Sequence, residues 1–299
     1  MDYRLTHVGL LCRDNEKNIP VYTDQLDGQV TTRAFNKGQS DLTFIGKGTD
    51  VTMELVNADP FLPYEQQFID RHGFGINHVS FLVDDADAAF EELKIQGVEV
   101  AWETKDILFV RQCGFYDPDG LLIEIYSYPT EEEYSLPDVV KPLSPTDLTF
   151  HHVSIITHDL ERSERFYIEK LGMKRAAECF EESGGGFIFL IDPFFDGEQH
   201  NVMFEIIVGP DLWDREQVLL DKHGPLFDHI CYMAKDVPGA YKEVLAKGAI
   251  DNMEPHDAFG LTMAWIRDAD GNEIEFMSPF PGDMQEKILR GEIPVAFPE

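Results

Sequence analysis

Four histidines and four glutamates recur along this chain in one order: His7, Glu54, His78, Glu124, then His152, Glu205, His229, Glu275. Each lies in a short apolar run of strand type, such as "TMELV" around Glu54 and "IEIYS" around Glu124. A carboxylate buried in such a run without a partner costs on the order of several kcal/mol, or protonates. A cation removes that cost. Two imidazoles and two carboxylates form the ligand set of a divalent first-row metal with room left for water or substrate. His78 taken alone, in "INHVSFLVDD", reads as an ordinary hydrogen-bonded core histidine. Its recurrence makes it a metal ligand.

The elements that must position these residues repeat with them. "THVGLLCRD", "NHVSFLVDD", "HHVSIITHD" and "DHICYMAKD" each carry His, a β-branched residue, and Asp seven places after the His: Asp14, Asp85, Asp159 and Asp236. The Asp suits a helix N-cap. Helical periodicity follows, as in "DADAAFEELKIQGVEV", and stops at a glycine fit for a C-terminal cap. Alternating or apolar runs such as "DLTFIGKGTDVTMELV", "FIFLIDPFF" and "VMFEIIV" read as strands. The unit is βαβββ, present four times.

The units pair into halves. Glu54 and Glu205, His78 and His229, and Glu124 and Glu275 are related by one constant offset, and "DPDGLLIEIYS" matches "DADGNEIEFMS". "PTEEEYSLPDVVKPLSPTD" is proline-rich and aperiodic, hence a linker. The expected organisation is an N-terminal domain over 1–130, a linker over 131–147, a C-terminal domain over 148–280 and an extension over 281–299. That extension could cover a cavity mouth or mediate dimerisation, so a monomer or a homodimer is expected. Units could close as first with second and third with fourth, or in exchanged fashion; the sequence leaves both open. "EESGGGFIFL" reads as a hairpin before a strand and not as a nucleotide loop.

Composition bounds the partners. With 24 Lys+Arg against 56 Asp+Glu, the formal charge of −32 repels nucleic acid and anionic membranes. The N-terminal residues lack the pattern of a signal peptide, and no apolar run approaches the roughly 18 residues of a transmembrane helix. Four scattered cysteines without C-x-x-C spacing read as reduced thiols in a cytoplasmic protein.

Four βαβββ units carrying this His/Glu/His/Glu set resemble the vicinal oxygen chelate superfamily, which includes glyoxalase I, methylmalonyl-CoA epimerase, bleomycin-resistance proteins and extradiol dioxygenases. The likeness covers about residues 4 to 280. It implies an α+β fold of two tandem domains, each a cup-shaped sheet around a metal that binds two adjacent oxygens of a small-molecule substrate. "MELVNADPFLPYEQQFIDRHGFGINHVSFLVDD" is similar to the corresponding stretch of the epimerases, although they typically carry Gln where Glu54 and Glu205 stand; Glu there is more like glyoxalase I.

The resemblance implies isomerase, epimerase or lyase chemistry with Zn, Ni, Co or Mn. The metal polarises a carbonyl and stabilises an enediolate, while Glu124 or Glu275 moves the proton. Neither half offers a basic cluster for the carboxylates of glutathione. The second half also resembles ring-cleaving extradiol dioxygenases of catechols or hydroquinones, with Fe(II) on His152, His229 and Glu275 and with His200 and His256 as auxiliary catalytic groups. Against that reading, Trp265 replaces an active-site Tyr and Glu205 fills a position that oxygen chemistry needs. A third reading is a non-catalytic protein that sequesters a small molecule. His200 and His256 have Thr49 and Lys105 as first-half counterparts, which places the main activity in the C-terminal half.

Overall fold

The computed structural model describes residues 1–36, 40–47, 49–58, 61–107, 110–128, 148–180, 185–198, 200–209 and 214–297. The linker expected at 131–147 and most of the glycine hairpin lie outside them.

The first half runs β1 (Arg4–Leu11), α1 (Asn15–Pro20), β2 (Gln29–Asn36), β3 (Ser40–Gly46), β4 (Thr52–Ala58), α2 (Pro63–His72), β5 (Gly75–Leu82), α3 (Ala86–Ile95), β6 (Glu99–Ile107), β7 (Val110–Tyr116) and β8 (Leu122–Ser127). The second half repeats it as β9 (Leu148–Thr157), α4 (Leu160–Leu171), β10 (Lys174–Phe180), β11 (Gly186–Ile191), β12 (Met203–Val208), α5 (Asp214–His223), β13 (Leu226–Ala234), α6 (Val237–Ala246), β14 (Ile250–Ala258), β15 (Leu261–Arg267) and β16 (Glu273–Met277). Then come α7 (Met284–Leu289) and β17 (Val295–Ala296).

The four aspartates do cap their helices. Asp14, Asp85, Asp159 and Asp236 accept from the backbone N–H of Glu16, Ala88, Arg162 and Gly239, satisfying donors that the first turn leaves orphaned. The capping fixes where each strand turns into its helix. α2 and α5, between the units, were not foreseen from the sequence, and both prove central to the site.

Pairing is sequential. One sheet has the order β2-β3-β4-β1-β5-β8-β7-β6, and the other β14-β15-β16-β13-β9-β12-β11-β10-β17. In each, the first strands of the two units meet antiparallel at the centre (β1 with β5, β9 with β13), and the last strand of each unit runs parallel to its first. Antiparallel contact between like strands relates the two units of a half by an approximate two-fold axis.

Alternation then sorts the side chains. Val8, Leu10, Val79, Phe81, Ile123 and Ile125 enter one apolar core that is continuous with Phe150, Val153 and Ile155 of the second half. The opposite faces carry the His and Glu positions. A second apolar cluster fills the concave side of the second sheet. There Phe280 and Phe297 of the C-terminal extension pack against Phe189 and Phe187, with ring centroids 5.4–5.5 Å apart for Phe280–Phe189 and Phe297–Phe187. β17 adds to the β10 edge, so the extension packs on the second sheet.

Candidate metal centres

Each sheet gathers one His or Glu from each of its four central strands. In the first, β4, β1, β5 and β8 supply Glu54, His7, His78 and Glu124. His78 Nε2 lies 3.1 Å from Glu54 and 3.5 Å from Glu124, and His7 Nε2 lies 3.6 and 4.0 Å from the same carboxylates. In the second, β12, β9, β13 and β16 supply Glu205, His152, His229 and Glu275. His152 Nε2 is 3.5 and 3.3 Å from Glu205 and Glu275, and His229 Nε2 is 3.5 and 3.2 Å from them. All but the half-buried His7 are buried.

The donor set fits a cation on a structural observation. His78 Nε2 and Glu205 Oε2 are buried yet make no hydrogen bond, the kind of orphaned polar atom a folded protein rarely tolerates. The protonation pattern has the same origin. Burial raises Glu124 to about 7. Burial opposes charge on His78, but Glu124 and Glu54 outweigh it and raise that imidazole to about 9. In the second cluster burial is outweighed at Glu275 by His152 and His229, which hold its carboxyl well below the usual range, and at His229 by Asp228 and Glu275, which push the imidazole well up. The mutual compensation of buried imidazole and carboxylate is a role that one divalent ion could take over.

Bulges shape the surroundings. Strand register slips beside every one of the four histidines, leaving Thr6, Asn77, His151 and Asp228 as the extra residues next to His7, His78, His152 and His229. A bulge re-aims its side chain. Three of them thereby reach the neighbouring imidazole: Asn77 Oδ1 at 3.0 Å from His78 Nδ1, His151 Nδ1 at 2.9 Å from His152 Nδ1, and Asp228 Oδ2 at 2.7 Å from His229 Nδ1. His151 thus buttresses a histidine of the centre.

α2 and α5 lie over the two centres. Glu65 on α2 is buried, anchors Oε2 on the Leu62 N–H at 2.7 Å, and is held up by burial within the field of His78 and Glu54. Its counterpart Glu216 is also buried and lines the second cup. The constant offset between halves marks this pair too, and that was the signal in the sequence.

The second cup holds a cavity of about 150 Å³ lined by Glu205, His229 and Glu275 and by apolar residues including Phe187, Met253, Phe259 and Met263. No lysine or arginine is among the described lining residues. His256 belongs to it, stacked on Trp265 at 5.4 Å.

His200 does not, contrary to the catalytic placement expected of it beside the second centre. Its two ring nitrogens are taken at 2.7 Å by Asp50 of the first half and Asp192 of the second. It is buried between the halves and is absent from the described lining of the cup. The turn after β11 carries it there; position relative to Glu205 in the chain could not show that.

Two tandem cups of this topology, each with its His/Glu set, define the class, and sequence comparison agrees. Residues 6–110 and 149–276 each match the glyoxalase/bleomycin resistance protein/dioxygenase superfamily, and the chain belongs to that superfamily. It is 29% identical over 123 residues to the uncharacterized protein YwkD of Bacillus subtilis, covering 40% of this chain and 93% of that one. It is 26% identical over 208 residues to glyoxalase I of Saccharomyces cerevisiae, covering 60% of each chain. It therefore spans less than two thirds of the yeast enzyme's length. Among solved structures, a variant of 4-hydroxymandelate synthase from Streptomyces coelicolor superposes with TM-score 0.67 at 14% identity, over 93% of this chain and 92% of that one. The Mn(II)-bound glyoxalase from Novosphingobium aromaticivorans gives 0.62 at 18% (93% and 82%). The 2,3-dioxygenase LapB from Pseudomonas sp. KL28 gives 0.62 at 16% (98% and 96%). These structural likenesses establish the fold.

Among the described residues no helix is long and apolar enough to cross a membrane, and all four cysteines are free thiols.

Proposed function

We propose that the protein is a divalent-metal-dependent enzyme that transfers a proton next to a substrate carbonyl, in isomerase, epimerase or lyase fashion. The carrying observation is that His7, Glu54 and His78, and likewise His152, His229 and Glu275, bring ligand atoms within 4.8 Å of one another, with Glu124 and Glu205 each 3.5 Å from an imidazole and buried ligand atoms left without a hydrogen bond. A bound divalent ion supplies Lewis-acid polarisation of the substrate oxygen and so acidifies the adjoining C–H. The protein's own residues do the rest. His152, Glu205, His229 and Glu275 would hold the ion, and Glu275, the carboxylate nearest both imidazoles, would also move the proton at its Oε2. Glu124 has that role in the first half. Phe187, Phe259 and Met263 keep water away and select an apolar body.

Cavity size and lining support a small, uncharged substrate bearing adjacent oxygens. A space of about 150 Å³ without a lysine or arginine among its described lining residues suits neither the size nor the carboxylates of a glutathione conjugate. The ring-cleavage reading loses support with the displacement of His200, which it needed beside the metal.

Elemental mass spectrometry of anaerobically purified protein tests the proposal. Zinc, nickel, cobalt or manganese, at up to two atoms per chain and reduced by one in Glu275→Gln and in Glu124→Gln, is the expected result. Iron confined to the C-terminal site would favour oxygen chemistry instead. A metal-free protein that cannot be loaded would sink the enzyme reading and leave small-molecule binding.

A further inference from the structure

The inner sets of the two centres are alike, two His and two Glu, but the bulged residues behind them are not. Asn77 and Asp228 occupy equivalent places, and each meets Nδ1 of its histidine, at 3.0 and 2.7 Å. One acceptor is a neutral amide, the other a carboxylate. Thr6 and His151 are likewise equivalent. His151 meets His152 Nδ1 at 2.9 Å, whereas Thr6 turns away, donating to the Ser80 carbonyl and accepting from the Tyr126 hydroxyl, both at 3.1 Å. His7 gains no such partner among the described residues.

A histidine that ligates a cation through Nε2 must carry its proton on Nδ1 and donate it; an acceptor there fixes the tautomer and orients the ring, and an anionic acceptor raises the basicity of Nε2. The wider field acts in the same sense. Lys105 lies within electrostatic reach of Glu124 and Glu65 at the first centre. The described residues lining the second cup include no lysine or arginine. Both differences weaken a cation in the first centre relative to the second.

We propose that the two centres are graded in affinity: the C-terminal centre, through Asp228 and His151, binds a divalent ion first, and the N-terminal centre fills only at higher metal concentration. The difference expected from supporting contacts of this kind is roughly 10–100-fold in dissociation constant. A cell could then hold the protein with one centre loaded and the other responsive to metal supply. The proposal rests on the reading of both clusters as metal centres.

Stepwise loading of the metal-free, full-length protein with Co(II), followed by calorimetry and by visible absorption, tests it. Two steps are expected, separated by roughly 10–100-fold. Glu275→Gln should abolish the tighter step and Glu124→Gln the weaker. Asp228→Asn should weaken the tight step about tenfold or more, and Asn77→Asp should tighten the weak one, a gain that misfolding cannot mimic. Two equal steps, or a tight step lost in Glu124→Gln, would overturn the grading while leaving the metal reading intact. No Co(II) uptake at all would overturn the proposed function itself.

Discussion

The phenol of Tyr22, in the first half, donates to the carboxylate of Asp268 in the second at 3.1 Å, and the equivalent Tyr167 returns the bond to Asp117 at 2.8 Å. These aspartates are the first of the repeated Asp-x-Asp-Gly turns. The second of each turn also reaches across: Asp119 accepts from Thr157 and pairs with Arg162, and Asp270 accepts from the Asn18 side chain at 2.6 Å and the Arg13 N–H at 2.9 Å. The repeated turns are therefore clasps between the halves, placed twice by the approximate symmetry.

Removing one clasp should cost stability and leave the centres intact. Tyr22→Phe and Tyr167→Phe should each lower the unfolding free energy by about 1–2 kcal/mol, since each strips a donor from a buried carboxylate. Because the two bonds share no partner, the double variant should lose the sum. Urea unfolding of the three variants checks this; a double variant no less stable than the singles would show that the clasps act as one.

His200 should make the interface sensitive to alkali. Burial disfavours its charge, but Asp192 and Asp50 outweigh burial and lift it to about 9. Its folded value thus lies above the ordinary one near 6.5, so its contribution is complete below about pH 6.5 and is lost as pH rises through about 9. The amount is on the order of 3 kcal/mol. The stability gap between wild type and His200→Gln, measured from pH 6 to 10, should shrink over that window. A gap independent of pH would remove the ionic account of the contact.

Gly9 faces His78 across β1 and β5, and a Cβ there would come within 1.8 Å of the imidazole Cε1. Gly9→Ala must therefore displace His78. Crowding of this kind typically costs about 1–3 kcal/mol. Metal binding should weaken at the N-terminal centre alone, with the C-terminal centre unchanged. Cobalt titration of the variant against wild type reads both, and equal uptake at both centres would show that the ring has room to turn.

Phe297 packs behind the second cavity, against Phe187 of its lining and against Phe280. Phe297→Ala should lower stability by roughly 1.5–3 kcal/mol, the transfer free energy of the buried ring, and admit larger apolar probes to the cavity. The ligand strands lie elsewhere in the sheet, so the metal content should stay constant. Calorimetric melting with binding of a fluorescent apolar dye distinguishes an opened cup from a general loss of packing.

Much of this protein was legible in its sequence because duplication writes the same instruction more than once. His, Glu, His and Glu at a fixed offset, each in an apolar run, disclosed both clusters. Asp14, Asp85, Asp159 and Asp236 marked where strands turn into helices, for local reasons: capping involves only the next few backbone donors. The same offset also carried Glu65 with Glu216 and Asn77 with Asp228, although their types alone gave no reason to single them out.

Tertiary structure decided the remainder. Which units pair depends on how β1 meets β5 and β9 meets β13, a competition between surfaces far apart in the chain. Bulges at Thr6, Asn77, His151 and Asp228 are defects of register between two strands, so neither strand alone specifies them. His200 illustrates the limit most directly. Its nearness in sequence to Glu205 suggested catalysis, yet Asp50, 150 residues away, claims one ring nitrogen across the interface. Burial of a charge demands the nearest counter-charge in space, and only the folded chain determines which one that is.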